Sequence, residues 1–109
     1  MLSAMENVVV VGQADDIPTS ERGIRATKPD VAIIDIRMPG GTGIDLVRRL
    51  KCEHSSGSSF IVYTSYGMPQ YRKASADAGA DFFFNKAADS GKLADAIRML
   101  AVQRWGLLR

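Results

Sequence analysis

Apolar residues in this chain arrive in short unbroken runs separated by mixed, helix-compatible stretches. Val8 to Val11, Val31 to Ile34, Phe60 to Tyr63 and Phe82 to Phe84 are each continuous rather than alternating. Unbroken runs are expected where both faces of a strand are covered, and the β-branched and aromatic residues that dominate them favour extended backbone. The runs predict parallel strands. Their alternation with helical segments predicts the order βαβαβαβα, an α/β fold in which a parallel sheet of about four strands carries helices on both faces.

The helical segments differ in signal. Thr42 is placed to cap a helix in which Ile44, Val47 and Leu50 share one face. A final helix after Ser90 carries Leu93, Ile97, Leu100 and Ala101 at core spacing. Between Pro69 and Ala78 a proline stands near the start and Gly79 is placed to end the helix in a left-handed conformation. The stretch Pro18 to Thr27 contains Gly23 and few apolar residues and gives the weakest helical pattern. Gly106 marks fraying before Leu107 and Leu108.

The 109 residues hold one domain, 1–109, with a modest core and no room for a second catalytic or DNA-binding unit. Apolar residues at 46% and charged residues at 24% fit a folded globular chain and exclude disorder. A net charge of +2 from scattered Lys and Arg does not make a nucleic-acid footprint, so no nucleic acid is expected as a partner. No stretch approaches the roughly 18 apolar residues of a membrane span, and no signal peptide is recognisable, which predicts a cytoplasmic protein without membrane contact. The single Cys52 cannot close an internal disulfide.

In an open parallel sheet, ligands bind beyond the carboxyl ends of the strands. The second run ends in Asp35, the third in Thr64 and Ser65, and Lys86 follows the fourth. A carboxylate, a hydroxyl and an ammonium would then converge on one edge. That set suits phosphoryl transfer to a carboxylate, with Asp35 as nucleophile, Lys86 offsetting phosphoryl charge and Thr64 donating to a phosphoryl oxygen. Any one of them alone is as well explained by a helix cap or a surface ion pair.

The chain resembles the response-regulator receiver family, whose fold is flavodoxin-like. The run PDVAIIDIRMPGGTGIDLVRR from Pro29 to Arg49 is similar to the family's phosphoacceptor segment, YTS at Tyr63 to Ser65 to its hydroxyl-bearing strand end, and AGADFFFNK from Ala78 to Lys86 to the strand leading to its lysine. PQYRKASADAGADFFFNK resembles stand-alone receivers more specifically, and the resemblance extends from about Val9 to Ala101. It implies that Asp35 accepts a phosphoryl group from a histidine kinase or phosphotransfer protein with Mg²⁺ bound. The backbone carbonyl of Arg37 then reaches the metal, and Phe83, three residues before Lys86, is the switch aromatic that moves inward with Thr64.

The sequence also departs from that pattern. Receivers open with a strand ending in two acidic residues, then a helix and a second strand; VVVVGQADD aligns with the second strand, so the domain is expected to be N-terminally truncated. Without the acidic pair Asp35 alone is a poor Mg²⁺ site, because that ion takes an octahedron of oxygens and binding is then expected to be weak or absent. Asp15 and Asp16, just past the first run, either stand in as metal ligands or cap the next helix. The slot of the missing strand is filled either by Val8 to Val11 lying beside Val31 to Ile34 or by assembly, which favours a homodimer. Ala87 follows Lys86 where receivers usually have proline.

Other candidates read more simply. Gly40, Gly41 and Gly43 lack the Gly-Lys-Ser/Thr ending of a phosphate loop, and Cys52 and His54 lie in a polar stretch with no further ligands near them. Phe82 and Phe84 share a strand face and are expected in the core, with Phe83 on the other face. A phosphohydrolase with an Asp nucleophile would carry a second acid at position 37, where Arg37 stands, so the chain reads as a non-enzymatic receiver. Its alternative is a phosphorylation-independent pseudo-receiver that acts as an interaction module.

Overall fold

The computed structural model describes residues 8–53, 57–89 and 91–105. The elements run α1 (Ile17–Thr27), β1 (Val31–Ile34), β2 (Arg37–Met38), β3 (Gly41–Thr42), α2 (Gly43–Cys52), β4 (Ser59–Thr64), α3 (Pro69–Ala78), β5 (Phe82–Asn85) and α4 (Lys92–Trp105). The weak helical stretch is a helix. The Asp16 side chain accepts the Thr19 N–H at 2.7 Å as its N-cap, and Ile17 supplies its buried contact. Thr42 caps α2 by accepting the Asp45 N–H at 3.2 Å, and Gly79 ends α3 at φ 109°. His54, Ser90, Gly106, Leu107 and Leu108, singled out from the sequence, lie outside the described residues.

Strands β1, β4 and β5 form one parallel sheet in that order, with Val31 opposite Ser59 and Ile61 opposite Phe82. The central β4 is apolar on both sides: Phe60, Ile61 and Val62 are fully buried. On one face Ile34, Phe60, Val62 and Phe83 pack with Ile17 of α1, Leu46, Val47 and Leu50 of α2 and Ala78 of α3. On the other, Ile61 packs with Leu93, Ala96, Ile97 and Leu100 of α4.

The run Val8 to Val11 is not a strand, which corrects the expectation of a fourth strand beside Val31 to Ile34. It is irregular, and Val9, Val10 and Val11 are exposed, while Val8 lies half-buried against the α4 cluster. The physical reason is the absence of a ladder: valine's β-preference is realised only through cross-strand pairing. The segment is anchored instead where α1 begins, by the Ile17 N–H donating to Pro39 O at 2.9 Å. Pro39 belongs to a small antiparallel hairpin, β2–β3, that turns through Gly40 at φ 93°. The glycine-rich segment is therefore this hairpin together with the start of α2.

A second correction concerns the phenylalanines. Phe83 is the buried one, 9% exposed, whereas Phe82 and Phe84 are half-buried and stack on each other at 5.6 Å between ring centres. They share a face as alternation requires, but it is the face covered by α4 alone among the described helices.

Candidate functional site

Because the three strands are parallel, their carboxyl ends meet at one edge of the sheet. Asp35 follows β1 directly, Thr64 is the last residue of β4, and Lys86 follows β5. The Lys86 N–H donates to Thr64 O at 2.9 Å, which folds the end of β5 onto the end of β4. From there the Lys86 Nζ reaches Asp35 Oδ2 at 2.8 Å, and both side chains keep partial access to water. Thr64 is fully buried, and its Oγ1 accepts the Tyr66 N–H at 3.1 Å.

Gly43 makes this edge possible. A Cβ at that position would lie 2.0 Å from the Asp35 carbonyl oxygen, so only glycine lets the first turn of α2 sit on the backbone of Asp35. The Gly43 N–H in turn donates to Ile36 O at 2.9 Å. Partial burial pushes the Asp35 pKa up. The hydrogen bond from Lys86, the Thr64 hydroxyl, the charge of Lys86 and the Arg37 N–H together outweigh it, and the carboxyl sits below its ordinary value. A carboxylate ionised at neutral pH, with an ammonium in contact and a hydroxyl beside it, is equipped to act as a nucleophile toward an electrophile that carries negative oxygens.

Arg37 opens β2 with its side chain exposed, and its guanidinium lies 5.0 Å from the centre of the Tyr66 ring. Tyr66 meets Tyr71 edge to face. Asp16 is committed to α1, accepting the Thr19 N–H and hydroxyl, and Asp15 is exposed beside it. Among the described residues no three His, Cys, Asp or Glu side chains gather as cation ligands. Among the described residues Asp35 is the carboxylate at the strand ends, so the donor set there is sparse for Mg²⁺, which takes an octahedron of oxygens and is usually held through one or two carboxylates together with waters and phosphate oxygens.

Phe83 faces the α1–α2–α3 side, away from solvent, with the Arg72 guanidinium 4.7 Å over its ring and an Arg72 N–H donating to its carbonyl at 3.4 Å. Neither this clamp nor the Arg37–Tyr66 stack carries a local signal, because both pair residues from separate parts of the chain. A local signal was present for Asn85, whose place before Lys-Ala-Ala suits a side chain that accepts the amides following it.

A family model described as the response regulator receiver domain matches residues 1–98. The chain belongs to that family. The receiver is 32% identical over 98 residues to the transcriptional regulatory protein DesR of Bacillus subtilis, covering 90% of this chain and 48% of that one. It is 33% identical over 86 residues to the sporulation initiation phosphotransferase F of the same species, covering 79% of this chain and 64% of that protein. It spans about half the length of DesR and of other curated relatives it matches. Among solved structures, the receiver domain of the response regulator NarL from Mycobacterium tuberculosis superposes with a TM-score of 0.83 at 28% identity, covering 92% of this chain and 80% of that one. The response regulator domain of Thermotoga maritima CheB, at 22% identity and a TM-score of 0.78, shares the fold. These likenesses establish a flavodoxin-like receiver domain of two-component signalling. No helix among the described residues is long and apolar enough to cross a membrane.

Proposed function

We propose that this receiver accepts a phosphoryl group on Asp35 from a histidine kinase or phosphotransfer protein. The observation that carries the reading is the 2.8 Å contact between Lys86 Nζ and Asp35 Oδ2 beside the Thr64 hydroxyl. In the transfer an Asp35 carboxylate oxygen bonds to phosphorus, the phosphorus–nitrogen bond of the donor phosphohistidine breaks, and the imidazole leaves with the electron pair and takes up a proton. Lys86 holds charge on the phosphoryl oxygens and Thr64 donates to one of them. Phe83 is the residue whose ring answers the change.

Mg²⁺ enters no step of this proposal. Asp35 and the Arg37 carbonyl, with Asp15, are the candidate ligands, Asp16 being held as the cap of α1, and weak binding is the expected result. A homodimer is proposed on a separate observation: β1 is hydrogen-bonded to β4 on one side, no described strand lies on its other edge, and the exposed valines 9–11 follow Val8, which packs in the same cluster as Val31 and Ile33 of β1.

The test is a titration with beryllium fluoride and Mg²⁺, followed by backbone amide NMR, of the wild type and Asp35→Ala. Coupled shifts at Asp35, Thr64 and Lys86 that vanish in the variant support the phosphoacceptor. A spectrum silent to beryllium fluoride both without Mg²⁺ and as Mg²⁺ is raised well past millimolar sinks it and leaves a pseudo-receiver that works through contacts alone. Sedimentation over a concentration series decides the dimer.

A further inference from the structure

Lys86 reaches Asp35 from a loop, and a four-carbon stem ending in a point charge has no preferred aim of its own. The direction must come from the backbone that carries it. That backbone is gathered around Asn85. The Asn85 N–H donates to Asp89 Oδ2 at 3.0 Å, and its carbonyl accepts the Asp89 N–H at 2.8 Å. Its side-chain Oδ1 accepts the Ala87 N–H at 2.8 Å and the Ala88 N–H at 3.2 Å. Lys86 is thus enclosed by bonds that begin on the residue before it and end on the two after it. Asp89 is braced in turn by Lys92 at the start of α4, at 3.2 Å.

The other end of the Asn85 side chain points across the site. A Cβ on Gly67 would lie 2.1 Å from Asn85 Nδ2, so the amide fills the space that a side chain at Gly67 would occupy. Gly67 stands in the loop that leaves Thr64. One side chain therefore bridges the loop that follows the hydroxyl and the loop that bears the ammonium.

We propose that Asn85 is a positioning residue for Lys86, holding its ammonium on Asp35 by clasping the two amides that follow it and by packing against Gly67. The inference rests on the phosphoacceptor reading only for its consequence in rate. It also explains Ala87. The family usually has proline after the lysine, and proline has no N–H to give. The Asn85 clasp needs the N–H at 87, so proline and this clasp are alternative ways to fix one loop.

The experiment compares wild type, Asn85→Ala, Asn85→Ala with Ala87→Pro, and Asp35→Ala. It reads amide exchange at 88 and, in the variants that keep Ala87, at 87, together with the Lys86 ε-ammonium resonance and phosphorylation by acetyl phosphate measured as intact mass. Asn85→Ala should speed exchange of both amides by on the order of tenfold and move the ammonium resonance toward its position in Asp35→Ala. It should slow phosphorylation by about tenfold with a melting midpoint within a few degrees of wild type. Ala87→Pro should restore resonance and rate. An ammonium resonance unmoved by Asn85→Ala overturns the proposal, as does a folding defect that Ala87→Pro does not mend, since the clasp would then serve the sheet and not the lysine. If the wild type takes no phosphoryl group, the phosphoacceptor reading fails while the resonance still decides the role of Asn85.

Discussion

The two faces of the parallel sheet are covered unequally, and the difference is read most clearly at its edges. On the face shared by α1, α2 and α3, the edge-strand residues Ala32, Ile34 and Phe83 are buried. On the opposite face, under α4, their neighbours Val31, Ile33, Phe82 and Phe84 are only half-buried. The central strand does not show the difference, because Ile61 is as completely buried under α4 as Phe60 is on the other side. One helix can roof one strand; it cannot roof three, given strand spacing near 4.8 Å and a helix about 10 Å across.

The largest expected effect tests that inequality directly. Phe60→Ala removes a fully buried ring from the well-covered face and should cost about 3–5 kcal/mol in urea unfolding. Phe84→Ala, on the half-covered face, should cost about 1–2 kcal/mol. Equal losses would break the comparison and show that in solution the α4 face is covered by more than α4. A concentration-dependent loss at Phe84 would assign that cover to a second copy.

A smaller effect of opposite sign belongs to the well-covered face. Ser75 in α3 is fully buried and its hydroxyl has no hydrogen-bond partner among the described residues. A buried donor left unsatisfied costs free energy that alanine would not, and alanine is also the better helix former. Ser75→Ala should stabilise the domain by about 1 kcal/mol, visible as a higher urea midpoint at unchanged slope. A loss of stability would mean that the hydroxyl is partnered in solution.

How far the sequence revealed all this follows from what each residue depends on. The strands β1, β4 and β5 and the helices α2 and α3 were legible because their signals are local: unbroken apolar runs, Thr42 before α2, Pro69 and Gly79 at the ends of α3. Asp35, Thr64 and Lys86 were legible as a set because parallel strands bring their ends together whatever the details. Val8 to Val11 misled, since four valines carry the same local signal whether or not a ladder partner exists. The β2–β3 hairpin escaped because two-residue strands have no periodicity to read. Phe82 and Phe84 were expected in the core because continuous hydrophobicity reports the cover a strand is suited to, not the cover that the described helices supply.

The smallest expected effect concerns how α1 is fastened to the well-covered face. Glu21 of α1 accepts from Arg49 of α2 at 2.8 Å and from Arg25 at 2.5 Å, and Arg25 continues to Glu53. The hydrogen bond from Arg49 is the main reason the Glu21 carboxyl lies below its ordinary pKa; burial opposes it, and the hydrogen bond from Arg25 with the charges of both arginines keeps the balance downward. A folded-state pKa below the unfolded one means that the unfolded chain binds more protons as pH falls. The contribution is therefore complete above the ordinary carboxylate range, near about 4.3, and is lost as pH drops through the folded value. Glu21→Gln should cost under about 1 kcal/mol at neutral pH and low salt, since exposed pairs contribute little. The gap between wild type and variant should narrow in molar salt and close in acid. A gap that persists in both would show that Glu21 holds α1 by packing its stem, and the covered face would then owe its order to apolar contact alone.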